Sequence, residues 1–157
     1  MDLVITYNNV TFGFDFSIVD GDLSVDDGLR TAVLVSLFTD RRAADDDELP
    51  AGSDDRRGYW GDAYAEIKGD LTGSRLWLLS RAKVLPETLA RAREYAEEAL
   101  AWLTEDKVAR AVNVTAVWVD NVNSAELRGV LGLRVAITLA DGSRWADVFN
   151  YPLSEAA

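Results

Sequence analysis

Hydrophobic and polar residues alternate at both ends of this chain and take on a helical rhythm between them. Leu3-Val4-Ile5-Thr6-Tyr7 reads as a first strand. In residues 10–18, Val10, Phe12, Phe14, Phe16 and Ile18 alternate with smaller or polar residues, the period-two pattern of a strand with one buried face. Asn8-Asn9 tolerates the positive φ of a tight hairpin turn, and Asp20-Gly21-Asp22 marks a second turn. Asp26-Asp27-Gly28 then leads into an apolar stretch, residues 29–38, predicted as a helix whose opening acids suit capping and the helix dipole. Leu29, Ala32, Val33, Ser36 and Leu37 share one face, and Leu34, Val35 and Phe38 widen it, so this helix is expected to be buried on more than one side.

Periodicity fades over residues 40–73. Residues 40–57 hold seven acids and four arginines around Pro50-Ala51-Gly52, a long solvated loop of the kind that is either functional or disordered. Its second half carries Tyr59, Trp60, Tyr64 and Ile67 and is expected to pack onto something. Ser74 is a candidate cap for a helix over residues 75–83, and Pro86 suits the first turn of another that runs to about residue 103. Leu85, Leu89, Ala92, Ala96, Ala99 and Leu103 form the apolar stripe of that second helix, with Glu87, Arg91, Glu94 and Glu98 opposite. Alternation returns with Val112, Val114, Ala116 and Trp118 before Asp120-Asn121. It continues in a longer strand from Leu127 through Leu131, Leu133, Val135, Ile137 and Leu139. Ala140-Asp141-Gly142-Ser143 is a strong hairpin signal, after which Trp145, Asp147, Phe149 and Tyr151 fall on one face. The expected fold is one α+β domain, residues 1–157. Antiparallel strands from both ends of the chain pack with two or three helices around a long central loop.

Composition narrows the chemistry. There is no cysteine and no histidine, so disulfides, thiolate and imidazole metal sites, and Ser-His or Cys-His catalysis are excluded. Net charge is −11, which repels nucleic acid and anionic lipid at long range. No apolar run approaches the roughly 20 residues that span a bilayer, and Met1-Asp2-Leu3-Val4 lacks the basic opening of a signal peptide. Synthesis in the cytoplasm is the expectation. Of the 16 bases only Lys68, Lys83 and Lys107 are lysines; the rest are arginine, suited to planar ion pairs and aromatic stacking.

Candidate sites are few. Asp45-Asp46-Asp47-Glu48 with Asp54-Asp55 offers oxygen ligands for a divalent cation, but consecutive acids cannot all face one ion. Asp20, Asp22, Ser24 and Asp26 alternate as in a calcium loop, yet Val25 stands where glycine is required and Thr31 where the closing Glu belongs. A cation-binding module therefore stays as the alternative reading. Ser80-Arg81-Ala82-Lys83 matches a Ser-x-x-Lys nucleophile pair without its companion motifs. No phosphate-cradling glycine loop is present. No catalytic residue and no cofactor is assigned, and the chain is read as a non-enzyme. What remains is Arg56-Arg57-Gly58-Tyr59-Trp60-Gly61-Asp62 and Gly73-Ser74-Arg75-Leu76-Trp77. In both runs glycines permit tight turns beside a Trp, and Arg with Trp and Tyr are the residue types that dominate interface hot spots. Whether Trp60 and Trp77 complete the core or face a partner stays open at this level. The candidate interface residues are Arg56, Arg57, Tyr59, Trp60, Asp62, Arg75 and Trp77. The edges of the sheet are a second candidate, as acceptors of a strand from another chain.

These two Gly-Trp segments, with residues 27–40 before them and the helix–hairpin finish after, resemble the baseplate wedge proteins of Mu-like phages, of the sheath-initiator type found in contractile tails. The resemblance runs over nearly the whole chain. It implies a structural protein of the virion tail baseplate, assembled in the host cytoplasm, that joins wedge subunits and initiates the sheath by strand pairing. Its implied partners are wedge proteins and the tail sheath protein, with tube or hub proteins as further candidates, and neither nucleic acid nor membrane. Sheath-initiator relatives often carry a Glu-Pro-Arg signature. Here the prolines stand in Leu-Pro-Ala, Leu-Pro-Glu and Tyr-Pro-Leu instead, which makes residues 56–62 the candidate for that wedge contact.

Overall fold

The computed structural model describes residues 2–20, 22–23, 25–26, 28–50, 52–119 and 127–154. Gly21, Ser24, Asp27, Ala51, Asp120 and Asn121 lie outside them. The architecture is α+β with antiparallel pairing throughout its strands. Strands β1 (Asp2–Leu3), β2 (Ile5–Asn8), β3 (Gly13–Phe16), β4 (Ile18–Val19), β5 (Asp22–Leu23) and β6 (Val25–Asp26) form an N-terminal meander. In it β2 pairs with β3, β4 with β5, and β6 returns to β1. Helix α1 (Leu29–Phe38) follows, then the irregular segment, then α2 (Pro86–Ala99) and α3 (Trp102–Glu105). Strands β7 (Ala109–Trp118), β8 (Leu127–Leu139) and β9 (Arg144–Ser154) close the chain as a three-stranded sheet with β8 in the centre.

The C-terminal alternation does what its pattern predicts. Leu131, Leu133, Val135 and Ile137 of β8, with Val114 of β7 and Phe149 of β9, turn one face into the core. That core is completed by Val33, Leu34 and Leu37 of α1, by Ala92, Tyr95 and Ala96 of α2, and by Leu100 and Leu103. The β8–β9 hairpin turns where its sequence says. Ser143 donates to Asp141 Oδ1 through both its N–H (2.8 Å) and its hydroxyl (2.6 Å), which holds that carboxyl below the usual carboxylate range.

Four local expectations are corrected. The first turn spans residues 9–12: Asn8 Oδ1 accepts the N–H groups of Val10 and Thr11, and Phe12 turns back with φ of 55°. Gly28, not an acid, occupies the N-cap position of α1, at φ 81°. The helix expected over residues 75–83 is only the 3₁₀ turn Leu76–Leu79, and its N-cap position is Arg75, not Ser74; the Ser74 hydroxyl accepts the Leu76 N–H while donating to the Leu37 carbonyl. The helix expected to reach residue 103 breaks after α2, where the Leu100 N–H is shared between the carbonyls of Ala96 and Glu97.

Alternation from Val10 to Ile18 does not bury a face: Val10, Phe14, Phe16 and Ile18 are 82%, 51%, 53% and 68% exposed. The meander also does not merge with the C-terminal sheet. It is fastened there by side chains. Tyr7 packs on Phe38 with ring centres 4.5 Å apart, and Phe38 stacks on Tyr151 at 5.7 Å. Buried Thr31 ties α1 to the outer edge of the meander, donating to the Leu3 carbonyl and accepting the Ile5 N–H. Arg30 reaches Asp147 of β9 at 2.8 Å.

Candidate functional site

The segment after α1 is irregular but held. Ala43 is buried and its N–H bonds the Arg56 carbonyl, which lays the outgoing and returning arms side by side. Arg56 turns its guanidinium back onto the carbonyls of Ala44 and Asp45. Arg57, at φ 50°, pairs with Asp40 at 2.8 Å and lies 4.6 Å over the Trp77 ring. Trp77 is 2% exposed, and its indole N–H donates to the Arg41 carbonyl. Arg75 bridges Asp47 and Glu98, each at 2.9 Å, with its guanidinium 4.7 Å over Tyr95. Burial pulls the Arg75 pKa down, but hydrogen bonds and charge from Asp47 and Glu98 outweigh it and hold it above its ordinary value. Gly73, at φ 97°, closes the segment where an added Cβ would sit 2.3 Å from the Thr39 carbonyl oxygen. Its neighbour Ser74 bridges to Asp40.

On this frame the 3₁₀ turn Trp60–Tyr64 stands out into solvent. Trp60 is 75% exposed and Tyr64 81%, with Ile67 at 70% just beyond. Tyr59, Trp60 and Tyr64 contact one another, centroids 5.4 and 6.4 Å apart along the series. Asp62 anchors the turn by accepting the Thr72 N–H, and its other oxygen is buried without a hydrogen-bond partner among the described residues. The seven interface residues read from the sequence therefore occupy one continuous neighbourhood in two layers. Tyr59 and Trp60 are displayed, Arg57 lies half-exposed over the Trp77 ring, and Arg56, Asp62, Arg75 and Trp77 are partly or fully buried. Tyr64 and Ile67 belong to the displayed layer too; their only sequence signal is a large apolar residue in a charged segment.

The acids of the loop do not assemble. Asp47 is committed to Arg75 and to the Ala44 N–H, and among the described residues no three acidic side chains gather as a metal would need. Lys83 of the Ser-x-x-Lys match is exposed, and its carbonyl serves only to accept the Thr88 hydroxyl.

The two edges of the C-terminal sheet differ. On β9, Val148 and Asn150 present their backbone groups outward, and all four are met by side chains. Asp147 Oδ1 accepts the Val148 N–H, Asn9 bonds both the Val148 carbonyl and the Asn150 N–H, and the Tyr7 hydroxyl donates to the Asn150 carbonyl. Burial pushes that hydroxyl up to about 12. On β7, the Val119 N–H bonds the Val130 carbonyl across the β8 pair. By the two-residue alternation of an antiparallel ladder, Val112, Val114, Ala116 and Trp118 point their backbone groups away from β8. Among the described residues no hydrogen bond meets that row. Beside it Leu89, Ala90 and Arg93 of α2 flank a shallow groove of about 220 Å³ with Val114, Thr115 and Ala116.

A framed aromatic loop and one open sheet edge on a small α+β body define a class: a protein that presents contact surfaces to other proteins. The family described as phage protein GP46 matches residues 29–144. Baseplate protein gp46 of Escherichia phage Mu is 54% identical over 122 residues, 78% of this chain and 77% of that protein. The Mu-like prophage FluMu protein gp46 of Haemophilus influenzae is 41% identical over 149 residues, 95% of each chain. The chain belongs to this family of Mu-like phage baseplate proteins, structural constituents of the virion's tail baseplate.

Proposed function

We propose that the chain is a non-enzymatic baseplate component that joins wedge subunits through the loop at residues 56–62 and accepts an extended sheath segment along β7. The observation that carries the docking role is the display of Trp60 and Tyr64 on a backbone tied down by Arg57, Asp62, Arg75 and buried Trp77. A rigid aromatic anchor loses little conformational freedom on binding, and Trp and Tyr dominate interface energetics. The open row of β7 backbone groups supports the strand-accepting role, because β9 has its equivalent groups between residues 148 and 150 already satisfied.

Replacing Trp60 with alanine tests the docking role. The isolated variant is expected to melt within about 0.5 kcal/mol of the parent, as exposed substitutions do. In co-expression with the wedge and sheath proteins of its phage, the complex is expected to weaken by about 2 kcal/mol. A variant that co-purifies as well as the parent removes the loop from the interface.

A further inference from the structure

The apolar side chains left in solvent by the meander continue onto α1. Phe14 and Phe16 stand with Ile5, Leu34, Val35 and Phe38 around an open groove of about 390 Å³. Val35, 43% exposed, is also a wall of a second cleft of about 770 Å³ on the other side of α1, shared with Ala32, Trp102 and Ile67. Groove and cleft together make a trough across the helix with Val35 as the ridge between them, apolar in the groove and of mixed polar and apolar lining in the cleft. Contiguous apolar surface of this kind marks a contact site more often than scattered exposed residues do.

The rim gives the partner's chemistry. Asp15 borders the groove, and Asp70, Glu105 and Asp106 border the cleft; none of the four has an ion-pair partner among the described residues. Of the bases there, Arg41 reaches Glu98 at 3.9 Å, which leaves Lys68 against four carboxylates. A second copy of the chain would bring its own charge of −11 to an acidic rim, and an anionic lipid surface would be repelled in the same way. We propose that the trough across α1 docks a segment of another protein that is apolar on one side and carries lysine or arginine at its flanks. Phe14, Phe16 and Val35 supply the buried contact and the rim acids supply orientation and encounter rate. Neither Trp60 nor the β7 edge lines this trough; Ile67 of the displayed loop layer borders its cleft, so the test below uses Phe16 and Val35, which belong to neither the loop nor β7.

Fluorescence anisotropy on the full chain with two short labelled amphipathic peptides tests it, one built of leucine and lysine and the other of leucine and glutamate. The Leu/Lys peptide is expected to bind at least about tenfold more tightly than the Leu/Glu peptide. The double variant Phe16→Ser, Val35→Ser should lose about tenfold of that binding without loss of melting temperature, since both side chains are exposed. Should the double variant melt lower, Asp15→Asn with Glu105→Gln is the second probe, expected to weaken Leu/Lys binding while leaving the apolar contact intact. Binding that ignores the Phe16 and Val35 changes is charge attraction alone and overturns the proposal. Equal binding of the two peptides overturns it as well. A dimer seen by sedimentation and dissolved by the double variant would assign the trough to a second copy, with the same consequence.

Discussion

Tyr7 and Asn9 show how much single side chains decide here. Tyr7 sits against Phe38 and Phe14 and spends its hydroxyl on the Asn150 carbonyl, while Asn9 uses both ends of its amide on β9. Together they fasten the meander to the sheet and block the edge to which a stray strand would add. Replacing Tyr7 with phenylalanine keeps the ring packing and should cost about 1 kcal/mol for the lost hydrogen bond, read from urea unfolding. The same residue predicts a pH dependence. Burial raises the folded pKa to about 12 from an unfolded value near 10, so the native state holds its proton more tightly. That stabilisation is complete below pH 10 and is lost as pH rises through 12. Unfolding free energy should therefore fall over this window, and less steeply in the phenylalanine variant; identical alkaline slopes would show that Tyr7 is not the group responsible. Tyr151, also pushed up by burial and secondarily by the charge of Asp40, leaves the variant a residual slope.

Among the elements, the charged loop illustrates how irregular backbone acquires a single shape. Arg75 stands between Asp47 of the loop and Glu98 of α2, with both pairs only partly open to solvent. Arg75→Gln should destabilise by about 1 kcal/mol, because it leaves the largely buried Asp47 carboxylate without its cation while Glu98 keeps the longer contact with Arg41. Hydrogen exchange should rise across residues 40–57 well before the β8–β9 hairpin; uniform exchange over the whole chain would mean that the loop does not open as a unit. The strand β7 makes a different prediction. Ala116→Pro removes one outward N–H and no ladder bond, so the monomer is expected to stay folded, at a cost of about 1 kcal/mol. The proposed strand addition should be lost. Sheath protein that binds the proline variant as well as the parent would exclude β7 as the acceptor.

For the whole molecule, charge dominates the energetics outside the core. A net charge of −11 on 157 residues opposes compaction, and that repulsion is screened by salt. The melting temperature of the isolated chain should therefore rise by a few degrees between about 0.02 and 0.2 M sodium chloride, where the Debye length falls toward 8 Å. A decrease would mean that attractive pairs such as Arg75–Asp47 and Arg30–Asp147 outweigh the repulsion. Acidic surface and exposed aromatics also suit a protein that stays soluble alone and adheres only to particular neighbours in a baseplate.

Local pattern was enough to specify the fold class, the C-terminal hairpin, α1 and the start of α2, because period-two and helical rhythms with Gly, Asn and Pro punctuation are direct consequences of backbone geometry. It also located the loop with its Arg, Trp and Gly residues. The rest depended on how distant segments pack. Alternation in Val10–Ile18 states that one face is apolar, not what covers it, and among the described residues Ile5 and the flank of α1 border that face without burying it. Trp60 and Trp77 sit in similar local sequence, yet one is displayed and the other buried, since only Trp77 lies beneath Arg57 with a carbonyl at hand for its N–H. The choice between β7 and β9 as the open edge rests on Tyr7 and Asn9, more than a hundred residues away in sequence, whose hydrogen bonds exist only once the chain has folded back on itself.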